Sequence, residues 1–156
     1  MTQVVLRPAR ADERDHLDDI CYRAKAHWGY DDTFMASVRD QIRVSPEAIV
    51  LGRVWVAVDA RGLPIGVVQV DRLDARAADL TLMFVDPAGM RTGIGRALFR
   101  KALDLAREMG ARELLIDSDP QAAGFYSAMG AVRIGAAPTG YEGRLLPRFR
   151  MLIPGL

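Results

Sequence analysis

The sequence predicts a single domain of the α+β, or mixed α/β, class. Two observations carry this. The period of the apolar residues switches between about 3.6 and 2 along the chain, in the order β-α-α-β-β-β-α-β-α-β-β. The 156 residues show no repeat, linker or low-complexity stretch, and a length near ~150 fits one domain, here residues 1–156.

The elements follow in order. Residues 4–7 read as a short strand ended by Pro8. Leu17, Ile20, Cys21, Ala24 and Trp28 then form a helical stripe, which Gly29 terminates. Asp31, Asp32 or Thr33 can cap a second helix carrying Phe34, Met35, Val38 and Ile42. Ser45-Pro46-Glu47 reads as a break. Residues 49–58 and 65–70, joined by the turn Asp59-Ala60-Arg61-Gly62, read as a hairpin. Residues 78–85 alternate, which puts Leu80, Leu82 and Phe84 on one face and Asp79, Thr81 and Met83 on the other. A glycine-containing loop leads into a long helix striped by Ile94, Ala97, Leu98, Ala102, Leu105 and Met109 and closed by Gly110. A strand over 114–116 follows. Next comes a helix with Asp119 as N-cap and Pro120 at its first position, ending at Gly130. Strands at 131–134 and 149–153, separated by a Gly/Pro loop, complete the chain.

Composition excludes several functions. Lys and Arg number 21 against 20 Asp and Glu, for a net charge of +1 and a pI near 7.9. No global positive field exists to attract nucleic acid. No apolar run reaches the ~18 residues that span a bilayer, and the N-terminus lacks the apolar core of a signal peptide. Cys21 is the only cysteine, so no intrachain disulfide can form, and the expected setting is the cytoplasm. On its helical stripe Cys21 is either core filler or a reactive thiol. The two histidines, His16 and His27, lie eleven residues apart and no Cys/His cluster has metal-ligand spacing. No metal site is expected.

The chemistry concentrates in Asp86-Pro87-Ala88-Gly89-Met90-Arg91-Thr92-Gly93-Ile94-Gly95, between a strand and a helix. Glycines let a backbone approach a ligand, and the N–H groups of a helix N-terminus converge on an anion with about half a unit of positive charge. Arg91 and Arg96 flank the site. A phosphate or pyrophosphate fits, although a ligand-free glycine loop has the same composition. The nucleotide motif G-x-x-x-x-G-K-[ST] fails, because Gly89 and Gly93 are four apart and Ile94-Gly95 follows. The dinucleotide fingerprint fails because Leu98 stands where its third glycine belongs.

The loop resembles the acyl-CoA loop of the GNAT superfamily of N-acetyltransferases, Q/R-x-x-G-x-G/A after a strand and a Val-x-Pro-like turn. Val85-Asp86-Pro87 precedes Met90-Arg91-Thr92-Gly93-Ile94-Gly95, with Met90 at the position usually held by Gln or Arg. A second family motif, N-x-x-A-x-x-F/L-Y followed by glycine, is matched at Ala122, Phe125, Tyr126 and Gly130, with Asp119 in place of Asn. The resemblance covers roughly residues 77–135. His27-Trp28-Gly29-Tyr30 and Gly143-Arg144-Leu145-Leu146-Pro147 are similar to one bacterial-type branch of the family.

The resemblance implies a mostly antiparallel central sheet with one splayed strand pair, flanked by about four helices. It implies acetyl-CoA as acyl donor, and transfer to a primary amine by direct attack in a ternary complex. The donor would be held by Met90, Arg91, Thr92, Gly93, Ile94, Gly95 and Arg96. The main chain of Met83, Phe84 and Val85 would line the pantetheine, with an N–H at Met83 on the thioester carbonyl. Tyr126 would be the general acid toward the departing thiolate, or else a core aromatic. Asp79 would be the base or hold a water, unless it anchors the substrate ammonium or is a solvated strand-edge charge. His27 is an alternative base or a helix-end cap. Tyr30, Asp31 and Asp32 would line the acceptor side, and Trp28, Tyr30 and Phe34 suggest an aromatic pocket there. Arg144 would meet an acidic substrate group or a CoA phosphate, or be a free surface charge.

The expected partner is a small-molecule or peptide amine, with no nucleic acid or membrane, and an edge strand could pair two copies. A non-catalytic acyl-CoA-binding or sensing module is the alternative function: it needs Gly93 and Gly95 but neither Tyr126 nor Asp79. A ligand-free structural domain is the third.

Overall fold

A computed structural model describes residues 3–139 and 143–154. Seven strands form one sheet: β1 (Val5–Pro8), β2 (Val54–Val58), β3 (Pro64–Arg72), β4 (Ala77–Val85), β5 (Glu113–Asp117), β6 (Val132–Pro138) and β7 (Leu145–Leu152). Their spatial order is β1-β2-β3-β4-β5-β7-β6. Only β4 and β5 run parallel. Five helices accompany them: α1 (Arg14–Ala26), α2 (Asp32–Val38), α3 (Pro46–Val50), α4 (Ile94–Glu108) and α5 (Ala123–Ala128). α4 is the crossover that a parallel pair requires.

Each face of the sheet has its own core. α4 buries Ile94, Leu98, Phe99, Ala102 and Leu105 against Val68, Val70 and Leu114, and Tyr126 of α5 joins this layer. α1 buries Leu17, Ile20 and Cys21 against Val54, Val56, Val67 and Leu82. Phe34, Met35 and Val38 of α2 make a smaller cluster with Tyr22, Ala26 and Tyr30. α4 sits so close to β3 that a Cβ on Gly66 would lie 2.9 Å from Leu98 Cδ1 and 3.0 Å from Ile94 Cγ2.

Four expectations require correction. Ser45-Pro46-Glu47 starts a helix rather than breaking one. Ser45 Oγ accepts from the Ala48 N–H at 3.2 Å and Pro46 occupies the first turn, where its missing N–H costs nothing. Ile49 and Val50 therefore belong to α3, and β2 begins only at Val54. An apolar run of mixed character could not be divided by periodicity alone. At the other end of the first helical stripe, α1 stops at Ala26, which leaves Trp28 outside it.

The third correction concerns β4. Gln69 pairs with Leu82 while Val70 pairs with Leu80, so Thr81 is an extra residue in the ladder. This bulge breaks the two-residue alternation. Ala78 and Leu80 face the α4 core, whereas Leu82 and Phe84 face the α1 core and Met83 returns to the α4 side. Leu80 thus does not share a face with Leu82, nor Asp79 with Met83. The outer strands are also longer than the sequence predicts, because pairing with each other supports residues of weak strand preference.

β4 and β5 pair only through Ala77–Glu113, Ala78–Leu114 and Asp79–Leu115. Beyond Asp79 they diverge, which bears out the expected splayed pair. β4 stays bonded to β3 as far as Val85, so the edge it turns toward β5 carries main-chain groups without a strand partner.

Candidate active site

The divergence opens a cleft of about 650 Å³. β4 supplies one wall from Asp79 to Val85, and Ile116, Asp117, Ser118 and Asp119 supply the opposite one. The α4 loop closes one end with Met90, Arg91, Gly93, Gly95 and Arg96. Lys25, Trp28, Phe34 and Arg144 line the other side.

The loop geometry follows from its residues. Asp86 Oδ1 accepts from the Ala88 N–H at 3.0 Å and turns the chain at Pro87. Thr92 Oγ1 donates to the Gly89 carbonyl. Gly93 caps α4 at φ 86°, a conformation that disfavours any Cβ, and α4 has no side-chain cap. The N–H groups of its first turn are therefore left for a ligand. Arg91, at φ 64°, is the only non-glycine with positive φ among the described residues. Such a conformation costs about 1–2 kcal/mol.

Asp79 is held between the sheet and the cleft. It is half-buried and stands opposite Asp71 across the β3–β4 ladder. Burial, reinforced by the charges of Asp117 and Asp71, pushes its carboxyl up to about 6. Asp117 is committed to Arg148, whose Nε and Nη2 donate to its two oxygens at 2.7 and 3.0 Å. Asp71 accepts from Gln69 Nε2 at 2.7 Å and from Thr81 Oγ1 at 2.5 Å. Asp79, like Asp71, has no cation paired with it among the described residues, whereas Asp117 does.

Tyr126 lies among Phe99, Phe125 and Phe149 at ring separations of 5.2–6.2 Å. Its ring is buried and burial raises the phenol above its ordinary value. The hydroxyl has no hydrogen-bond partner among the described residues, yet no fully buried side-chain polar atom there lacks one. The oxygen must therefore reach the cleft, which Tyr126 lines.

The remaining predicted residues divide. Met83, Phe84, Val85, Met90, Arg91, Gly93, Gly95 and Arg96 line the cleft. Thr92 and Ile94 do not; Thr92 ties the loop together and Ile94 is core. His27 is exposed and stacks edge-on to Trp28. Asp31 caps α2, accepting from the Phe34 N–H at 2.8 Å. Tyr30 reaches the site through its hydroxyl, which donates to Asp119 Oδ2 at 2.8 Å. Cys21 is fully buried and burial raises its thiol well above the ordinary range, which fits core filler.

Sequence reasoning missed Lys25 and the role of Asp119. Lys25 Nζ meets Asp119 Oδ2 at 2.5 Å, and Arg144 Nη2 lies 3.5 Å from the same oxygen and 2.9 Å from the Tyr30 hydroxyl. Burial lowers the Lys25 pKa against the opposing pull of Asp119. The Asp119 carboxyl falls despite burial, because Lys25, Tyr30 and the Gln121 N–H all bond to it. Nothing on the α1 stripe marks Lys25, since a buried lysine looks like any other lysine in sequence. Among the described residues, no group of His, Cys, Asp or Glu is arranged to hold a metal ion, and no helix is long and apolar enough to cross a membrane.

A strained glycine loop, a splayed parallel pair and a cleft between them define an acyl-CoA-type transferase fold. The comparisons agree. Residues 51–130 match the family model for the acetyltransferase (GNAT) domain. The chain belongs to the GNAT acetyltransferase family. It is similar to the peptidyl-lysine N-acetyltransferase YjaB of Escherichia coli (strain K12), with 26% identity over 155 residues, covering 97% of this chain and 98% of that protein. The solution structure of apo YjaB covers 99% of this chain and all of its own, with a TM-score of 0.69 and 27% identity. PaiA N-acetyltransferase from Thermoplasma acidophilum, crystallised in complex with coenzyme A, shares the fold at 16% identity. Its TM-score is 0.73, over 97% of this chain and 99% of that one.

Proposed function

We propose that this protein moves an acetyl group from acetyl-CoA to a primary amine by direct attack within a ternary complex. One observation carries the reading: the diverging β4–β5 pair brings Asp79, Tyr126 and the open N-terminus of α4 to a single cleft. The relatives support the donor and the amine, since YjaB is a peptidyl-lysine N-acetyltransferase and PaiA was crystallised with coenzyme A.

The α4 N–H groups, with Arg91 and Arg96, hold the pyrophosphate. The free edge of β4 bonds the pantetheine amides as an added strand would, and a main-chain N–H at Met83 meets the thioester oxygen as it gains charge. Asp79 accepts a proton from the attacking ammonium, directly or through water. A base is needed because an amine of pKa ~10.4 is only about 0.04% neutral at pH 7. A carboxyl near 6 is about nine-tenths ionised at pH 7, yet more basic than an ordinary aspartate. Tyr126 stays protonated and donates to the sulfur as the C–S bond breaks. Acetyl-CoA and the protonated amine thus become the amide, CoA-SH and one released proton. The lone, buried Cys21 is no acyl carrier and fits a reducing, cytoplasmic setting.

The test is acetyl transfer over an amine panel with Tyr126→Phe, which keeps the packed ring. A fall in kcat of roughly 10²–10⁴-fold at unchanged CoA affinity is expected. Unchanged kcat with a turned-over amine removes Tyr126 as the acid. CoA binding without turnover of any amine leaves the acyl-CoA-binding module as the function.

A further inference from the structure

The acceptor side of the cleft holds two cations that share one carboxylate. Lys25 and Arg144 both reach Asp119 Oδ2, which also accepts from Tyr30. The other oxygen, Oδ1, accepts from the Gln121 N–H at 2.9 Å. Asp119 is thereby saturated, while its two partners are not. A lysine has three donors and an arginine five. Among the described residues Lys25 uses one, and Arg144 uses only Nη2. All three charged side chains are largely shielded, at 10%, 9% and 19% exposed for Lys25, Asp119 and Arg144. Among the described residues, Lys25, Arg144 and Asp119 together carry one net positive charge, which faces the cleft from sheltered ground.

The site is built rather than incidental. The Arg144 guanidinium lies 4.9 Å from the centre of the Tyr30 ring and 4.6 Å from that of Phe34, and Lys25 Nζ lies 5.2 Å from the Tyr30 centre. Aromatic faces hold the cations without consuming their hydrogen-bond donors. The guanidinium so fixed offers a planar fork, which suits a carboxylate. Phe34, Trp28 and Val38 line the adjoining wall and suit an apolar portion.

We infer that the amine acceptor carries its own free carboxylate, which pairs with Arg144 and Lys25 while its amine faces Asp79. This rests on the acetyltransferase reading and makes the acceptor class a small amino acid or a compound of that type. An acceptor without a carboxylate, such as a lysine side chain within an amidated peptide, would leave the two cations with Asp119 as their one shared anion among the described residues.

Matched pairs test this: lysine against lysinamide, and phenylalanine against phenylalaninamide, with acetyl-CoA saturating. The free acids are expected to exceed the amides in kcat/KM by roughly 10–100-fold, mostly through KM. In Arg144→Gln the ratio collapses to within about threefold, with CoA binding by calorimetry within twofold of the parent. In Arg144→Lys, which keeps charge but loses the fork, the ratio is intermediate. Amides turned over as well as acids overturn the inference. So does an Arg144→Gln variant whose loss lies in CoA affinity, which would assign the cations to the donor. If no amine is acetylated, the acetyltransferase reading fails by itself. Calorimetry of N-acetylphenylalanine against its amide with the CoA-bound protein then decides the carboxylate site: tighter binding of the acid supports it, and equal or absent binding overturns it.

Discussion

At the scale of the residue, burial moves the Asp79 carboxyl well above the ordinary carboxylate range. The carboxyl, raised from 3.8 to about 6, binds a proton more tightly in the folded than in the unfolded chain. Between those values the folded state holds more protons, so this group's contribution to stability falls as pH rises from about 4 to about 6. Asp79→Asn should therefore leave Tm nearly unchanged at pH 4 and raise it at pH 8. With solvent screening allowed for, the gain is about 1–2 kcal/mol, or roughly 3–6 °C. Calorimetry at the two pH values checks this. The same variant should lose the acid limb near pH 6 in kcat/KM. A limb that survives assigns it to another group. Stability gained where activity is lost is the pattern expected of a charge kept for chemistry.

At the scale of the element, the α4 loop and the α4–β3 contact make opposite predictions. Arg91→Gly relieves a left-handed arginine and should raise stability by about 1 kcal/mol. It also removes a charge at the anion site, so CoA should bind several-fold more weakly, with a shallower salt dependence. Thermal melts and titration calorimetry of one variant read both effects. Gly66→Ala adds a methyl where Leu98 and Ile94 leave no room. It should cost about 1–3 kcal/mol, a drop in Tm of roughly 3–10 °C. Both α4 and its entry loop were legible in the sequence: the apolar stripe, Gly93 and Pro87 are local signals that neighbours along the chain suffice to express. α3 was not read as a helix, because five residues beside a strand carry no period of their own.

For the whole molecule, two cores face each other across one sheet, and β2, β3 and β4 contribute to both. Neither layer can be removed without exposing the other's strands, so we propose that the chain unfolds as one cooperative domain. A single calorimetric transition is expected, with van't Hoff and calorimetric enthalpies equal. CoA at 100 times its Kd should stabilise that transition by about 2.7 kcal/mol, shifting Tm upward by roughly 5–10 °C. Two transitions, of which CoA moves only one, would show that the layers are separate units. A net charge of +1 remains compatible with this polyanionic ligand, because the α4 N-terminus and its loop supply positive potential locally.

The family resemblance supplied the candidacy of Asp79 and Tyr126. The sequence by itself determined the order of elements other than α3, the glycine loop and the start of α4. Each is a short pattern whose physics is complete within about ten neighbouring residues. Only the tertiary structure decided which face each β4 residue occupies, since the bulge at Thr81 is a property of the β3–β4 pairing and not of either strand alone. Only it brought Lys25, Tyr30 and Arg144 onto Asp119, joining Lys25 to Asp119 across 94 positions and Tyr30 to Arg144 across 114. A buried charge pair is stable only when both partners arrive together. No local signal announces it, and the fold alone supplies the second partner.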